Sequence, residues 1–363
     1  MLVDFVAGSK LDFYVIAPVL ESVQLEQDAG RDVGYRVIFT GSTAEFQSID
    51  EELSFFGIPR PNIFLEVSEH DQALLTATTL VRYGQLLQSS KPDIIMLFGH
   101  STGTMACALA ASKTHGIKIA HVGSGMRSNN RSSADEVNRK VIDAITDYHF
   151  PIAQSSAENL RVEGVPDEFI FFTGNPISDF LNKEIESMPQ PQIWADLQLQ
   201  PGKYILLNLE HPSVTKSDAR LKSLLLNVIR LSRNLPIILP VNSSSEGTLN
   251  AIGIKARNLH IIEHPGLSAL YYLSRHAKAV ITDTENLQDE TTVMQTPCMT
   301  LFKTVARPDT YTVGFNEITG LQPEALEEAF QKLFAGEWKK GRIPYLWDGK
   351  AATRIINVLK KLV

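Results

Sequence analysis

The chain has 363 residues, more than a single hydrophobic core usually serves, so two domains are expected. Hydrophobic residues make up 44% and charged residues 21%, with a net charge of −7 and no long basic run; this is a globular composition and excludes an electrostatic nucleic-acid surface. No stretch reaches the roughly 18 apolar residues of a membrane span, and Met1-Leu-Val-Asp-Phe-Val carries no basic leader, so a cytoplasmic protein without a span is expected.

Apolar runs alternate with segments of helical period along almost the whole length. In the first half, strands are predicted at 3–7, 36–40, 94–98, 119–122, 149–153 and 169–173. Helices are predicted between them at 21–27, 71–88, 102–113 and 134–148. A second series begins after 182–202, where Met188-Pro-Gln-Pro-Gln192 interrupts the periodicity. Its strands fall at 204–208, 236–241, 260–262, 279–282 and 298–301, and its helices at 217–234, 247–256, 268–277 and 287–294. A final helix is expected at 346–363, with Ile355, Ile356 and Leu359 on one face.

Strands that are apolar without alternation belong in parallel sheets covered on both faces. The expected fold is therefore α/β, with two doubly wound Rossmann-like domains. The first spans 1–181, joined by the helix at 350–363, and the second spans 182–349. Two such domains facing each other would put a ligand in a cleft between the carboxyl ends of both sheets. Cys107 and Cys298 lie in apolar surroundings without ligand spacing, and the histidines are scattered, so buried free thiols and no metal are expected.

Gly99-His100-Ser101-Thr102-Gly103 follows the strand at 94–98 and matches a nucleophile elbow. In that elbow's fold an acid and then a histidine follow the serine. The last histidine here is His276, and no oxyanion loop precedes the turn. Ser101 as a helix cap is the simpler reading. Ile119-Ala-His-Val-Gly-Ser-Gly-Met-Arg-Ser128 then runs from a strand into a Gly-rich turn with an arginine. Ser133-Ala-Asp-Glu136 has the form of a capping box, which predicts a helix start near Ser133. Asp135 and Arg139 stand four apart on one helical face.

In this order the segments resemble the bacterial UDP-N-acetylglucosamine 2-epimerase family, whose members have the two-domain GT-B fold. Gly8-Ser-Lys-Leu-Asp-Phe-Tyr-Val-Ile-Ala-Pro18 resembles the family's G-T-R-P-E-A-I-K-M-A-P, and Phe55-Phe-Gly-Ile58 its F-F-G-I. Phe98-Gly-His-Ser-Thr102 falls on H-G-D-T-T, His121-Val-Gly-Ser-Gly-Met-Arg-Ser128 on H-V-E-A-G-L-R-S, and Asp135-Glu-Val-Asn-Arg139 on E-E-x-N-R. Phe171-Phe-Thr-Gly-Asn-Pro-Ile-Ser-Asp179, Ile281-Thr-Asp283 and Arg307-Pro308 continue the match across nearly the whole chain.

The resemblance implies a nucleotide-sugar ligand, a UDP-sugar first of all, with no cofactor, and a homodimer. It also shows where the family's chemistry is changed. Carboxylates that would move the C2 proton are replaced by His100 and by Gly123, which has no side chain and should leave more open space. Leu209-Glu-His-Pro-Ser213 stands for H-R-R-E-N and keeps only His211, by a register slip. Thr284-Glu-Asn-Leu-Gln-Asp-Glu290 stands for S-G-G-I-Q-E-E. Glu285 there brings negative charge to a diphosphate turn, while Glu290 keeps the glutamate that binds ribose hydroxyls. The opening arginine is Lys10.

The candidate catalytic residues are thus His100, Asp135, Glu136, Arg139 and His211. The candidate ligand-holding residues are Lys10, Arg127, Glu210, Thr284, Glu290 and Arg307. The standard C2 epimerisation is not expected. Three readings stay open: a nucleotide-sugar isomerase or hydrolase with a rebuilt site, a non-catalytic binding or partner protein, and a GT-B glycosyltransferase.

Overall fold

The structure is a computed structural model that describes residues 1–215, 218–241, 253–302 and 305–362. The expected helix at 247–256 lies largely outside the described residues, as do the first residue of the one expected at 217–234 and the last of the one at 346–363. The chain divides into two compact units, Met1–Lys183 with Tyr345–Val363, and Glu184–Pro344.

The first unit is built on β1 (Leu2–Ala7), β2 (Gly34–Phe39), β3 (Ile63–Phe64), β4 (Ile94–Phe98), β5 (Lys118–Val122) and β6 (Tyr148–Phe150). They form one sheet in the order β3-β2-β1-β4-β5-β6. All its pairings are parallel, with Ala7 beside Phe98 and Phe98 beside Val122. The second unit repeats this winding with β7 (Ile205–Asn208), β8 (Ile237–Val241), β9 (Leu259–Glu263), β10 (Ala279–Thr282), β11 (Cys298–Thr300) and β12 (Asn316–Ile318). Its order is β12-β11-β10-β7-β8-β9, again all parallel. In each unit the chain reverses its winding direction once, between β1 and β4 and between β7 and β10. Ligands of doubly wound sheets bind at the carboxyl ends of strands flanking such a switch point.

The apolar strands are covered as their sequences require. Val6, Ile38, Ile95, Leu97 and Ile119 pack with Cys107, Ala108 and Ala111 of the helix Thr102–Ser112. In the second unit Ile205, Leu207, Ile281 and Met299 pack with Leu221, Leu225 and Phe330 on one face. Leu206, Ile238 and Val280 pack with Leu270 and Leu273 on the other. Each of the Val, Leu, Ile, Phe and Met side chains contributes about 1.5–3 kcal/mol when fully buried.

Some elements differ from the prediction. The first helix is Asp12–Asp28 and carries Pro18 inside it, where a proline normally breaks the pattern. Residues 169–173 give only a bridge between His149 and Ile170 and not a strand. The short edge strands β3 and β12 and the helices Thr43–Gln47 and Asp50–Phe55 are too brief to leave a periodic trace. Ser133 is the N-cap of helix Ala134–Ala144, but its side chain makes no capping bond. No described helix is long and apolar enough to cross a membrane.

The last helix, Ala351–Leu362, returns to the first unit, where Ile355, Ile356 and Leu359 are buried. Asp179 caps it: its two carboxylate oxygens accept from Ala351 N at 3.1 Å and Ala352 N at 2.8 Å. Trp347 anchors the approach by donating to the Ile152 carbonyl at 2.8 Å. Asp179→Ala should therefore lower stability by about 1–2 kcal/mol, the usual loss for an N-cap carboxylate. Thermal denaturation of the full chain checks this, and an unchanged melting temperature would contradict it.

Candidate functional site

The switch point of the first unit is assembled from tight turns. After β1, Asp12 accepts from Gly8 N at 2.9 Å and Ser9 N at 2.8 Å. Burial pushes this carboxyl up to about 7, against those two N–H groups and the nearby His121. After β4, Gly99 has φ 68, in the left-handed region, and a Cβ there would lie 2.6 Å from Asp12 Oδ1. Only glycine suits both conditions. Ser101 then caps the helix Thr102–Ser112, its Oγ accepting from Thr104 N at 3.1 Å. The Gly-x-Ser-x-Gly match is a strand-to-helix turn with a capping serine.

Three of the candidate catalytic residues come together beside this turn. Arg139 is buried and donates to His100 Nε2 at 2.9 Å, and its other arm lies 3.4 Å from Glu136 Oε2. A guanidinium has only donors, so His100 Nε2 accepts in this pair. His100 itself is partly exposed, and Asn138 donates to its carbonyl at 3.0 Å. Glu136 accepts from Ser128 N at 2.8 Å, Ser128 Oγ at 3.0 Å and Asn129 N at 3.1 Å. Burial works to raise Glu136, but these donors and Arg139 outweigh it and hold the carboxyl below its ordinary value. The glutamate of the expected capping box thus turns to the preceding loop. Asp135, on the same helix, is exposed.

The ligand-holding candidates of this unit are placed differently. Arg127 is buried, and its guanidinium grips Glu163 through Nε at 2.8 Å and through a terminal nitrogen at 2.6 Å. Its other terminal nitrogen meets Asp143 at 2.7 Å. The anion that Arg127 holds is therefore a pair of protein carboxylates. Lys10 turns its ammonium to Ser48 Oγ at 2.7 Å. Gly123 has φ 93, and a Cβ there would meet only Met126 Cε, at 3.3 Å.

The switch point of the second unit collects carboxylates. Asp283, at the end of β10, accepts from Glu210 N at 2.8 Å and His211 N at 3.1 Å, and so holds the loop that follows β7. Asn208 donates to Glu210 Oε1 at 3.1 Å. The exposed His211 sets its ring edge against Phe302, centroids 4.8 Å apart. Burial raises Asp283 to about 7 against its two N–H donors, with the charge of Glu210 adding to the rise. Glu290 is buried and accepts from Tyr271 Oη at 2.6 Å. It is also raised to about 7, by burial first and by Glu210 as well, while Tyr271 works the other way.

Thr284 N is bonded to Thr282 Oγ1 at 3.0 Å, which shapes the entry to helix Asn286–Val293. Arg307 pairs with Asp289 and donates to Asn286 Oδ1 at 2.8 Å, both in the first turn of that helix. Its charge thus lies where Glu285 adds negative charge. No group of three or more His, Cys, Asp or Glu side chains suited to a metal occurs among the described residues. Sequence reasoning missed Asp143 and Tyr271, and it quoted Asp12 and His121 only within longer motifs, without a role. Asp283 ends a quoted motif, but nothing in its spacing showed that it holds Glu210 and His211.

A sequence profile of the UDP-N-acetylglucosamine 2-epimerase family matches residues 25–360. A UDP-N-acetylglucosamine 2-epimerase of Methanococcus maripaludis is 27% identical, over 98% of this chain and 98% of its own length. Among solved structures, a Methanocaldococcus jannaschii UDP-GlcNAc 2-epimerase in complex with UDP-GlcNAc and UDP has a TM-score of 0.87 at 24% identity, covering 99% of this chain and 100% of that one. A Neisseria meningitidis UDP-GlcNAc 2-epimerase bound to UDP-GlcNAc has a TM-score of 0.87 at 23% identity, with 99% of this chain and 100% of that one covered. These likenesses place the chain in the GT-B fold class.

Proposed function

Because this chain belongs to the UDP-N-acetylglucosamine 2-epimerase family, we propose that it binds a UDP-sugar and does not epimerise C2 through the family's paired carboxylates. The observation that carries this reading is the exchange at two strand ends. His100 follows β4 with its Nε2 engaged by Arg139, and Gly123 follows β5 with no side chain. Proton abstraction needs a titratable group within hydrogen-bond reach of the carbon. His100 Nε2 can take a proton only by giving up the Arg139 bond, and Gly123 has nothing to offer. Glu136 is enclosed by Ser128, Asn129 and Arg139.

Retained binding is supported by the second unit. Glu290 is kept and is aimed by Tyr271, as a group that accepts from ribose hydroxyls must be. The curated relative, an epimerase by name, aligns over nearly its whole length. The roles of Glu290, Glu210, Thr284 and Arg307 in holding the ligand belong to this reading.

Proton NMR in D2O decides the chemical half. Incubation with UDP-N-acetylglucosamine should leave the C2 proton undiluted and produce no manno epimer, and deuterium at C2 would overturn the proposal. Thermal denaturation with UDP and UDP-sugars decides the binding half. A saturating ligand at about 100 times its Kd should stabilise the fold by about 2.7 kcal/mol. A flat response across that panel would refute UDP-sugar binding.

A further inference from the structure

Beneath the β4 turn lies a chain of polar groups, buried except for Glu163 at its outer end, that none of the candidate catalytic roles uses. His121, on β5, is fully buried. Its Nδ1 faces Asp143 Oδ1 at 2.8 Å and its Nε2 faces the Gly99 carbonyl at 3.0 Å. A carbonyl has no proton to give, so the Nε2 side donates. Asp143 is fixed in turn by Gly125 N at 2.9 Å and Arg127 at 2.7 Å, and Arg127 is fixed by Glu163. The chain from Glu163 to Gly99 therefore ends on the peptide that leads into His100. Asp12 closes the other side of Gly99.

We propose that His121 is a positioning residue: seated between Asp143 and the Gly99 carbonyl, it fixes the turn that presents His100 to Arg139. The carbonyl of Gly99 and the nitrogen of His100 share one peptide plane. Holding that carbonyl sets the direction in which the His100 backbone leaves the strand. Asn138 then holds the next carbonyl, and Arg139 the ring. Loss of the His121 bond frees the peptide to rotate, while the Asp143 bond alone leaves it free. The proposal concerns the turn itself and does not rest on the nucleotide-sugar reading.

The two bonds of His121 can be removed one at a time. Glutamine places its amide nitrogen where Nε2 stands, and asparagine places its own where Nδ1 stands. His121→Gln thus keeps the Gly99 contact, and His121→Asn keeps the Asp143 contact. The readout is the ring of His100 in the ligand-free, 15N-histidine-labelled full chain, assigned by its loss in His100→Gln. In the parent protein His100 should show one tautomer, protonated at Nδ1 and unprotonated at Nε2. His121→Gln should keep that signature even if it unfolds more easily, and His121→Asn should lose it even if it is the more stable variant.

A purely structural role for His121, serving Asp143, predicts the reverse order and would overturn the proposal. So would a signature that survives in both variants. Should neither variant fold, the parent protein gives the answer. A His121 Nε2 proton protected from exchange supports the proposal, and an unprotonated Nε2 refutes it.

Discussion

Replacing Asp143 by alanine is expected to destabilise the first unit by about 3–5 kcal/mol, the usual loss when one partner of a buried ion pair is removed. Asp143 is buried, and three separate donors converge on it: His121 Nδ1 at 2.8 Å, Arg127 at 2.7 Å and Gly125 N at 2.9 Å. Truncation leaves a half-satisfied guanidinium and an unpaired backbone N–H in a region that water does not reach. Burial alone would raise the Asp143 carboxyl, but His121, Arg127 and Gly125 N prevail and hold it below its ordinary value. Its stabilising contribution is therefore complete above the ordinary carboxylate range and is lost as pH falls through the lowered native value. Urea unfolding of parent and variant near neutral pH measures the loss. A difference under about 1 kcal/mol would mean that the network contributes no more than an exposed ion pair.

This network also shows what could be read in the sequence and what could not. The apolar runs that became β4 and β10 are buried on both faces and contain no alternation, so their parallel character was visible. Of helix Asp12–Asp28 only 21–27 was predicted; the part around Pro18 was hidden, because a local breaker signal opposes a stability that comes from packing. Glu136 and Arg139 stand three apart on one helix, and that spacing brings them to the same buried side with His100. Arg127 was legible only as a cation. Its partner Glu163 is 36 residues away, and the bond exists only because the helix Gln154–Val162 packs against the turn after β5, where Asn159 donates to the Gly125 carbonyl. Likewise Tyr271 reaches Glu290 across 19 residues, from a different helix. Side chains that touch a ligand leave motifs, whereas those that orient them are found through the fold.

UDP should bind more weakly as the medium becomes acidic, with a bend near pH 7 set by Glu290. An acceptor for ribose hydroxyls is most effective when ionised, and this carboxyl is raised to about 7 by burial and by the charge of Glu210. Below the bend the ligand must displace a proton, so the apparent Kd should rise by up to about tenfold per pH unit; above it the profile should be level. The free protein responds in the opposite sense. A carboxyl with a raised native value contributes stability that is complete below its ordinary value and is lost as pH rises through about 7. Ligand affinity and unliganded stability should therefore cross. Tyr271 donates to Glu290 and favours its ionised form, so Tyr271→Phe should move the bend to higher pH. Glu290→Gln should weaken binding and remove the slope. Asp283, also raised to about 7, stays in place in that variant and would preserve a slope if it were the responsible group. Calorimetric titration of UDP from about pH 5 to about pH 8 compares the three proteins. A level profile in the parent, or an equal slope in Glu290→Gln, would remove Glu290 from the nucleotide site.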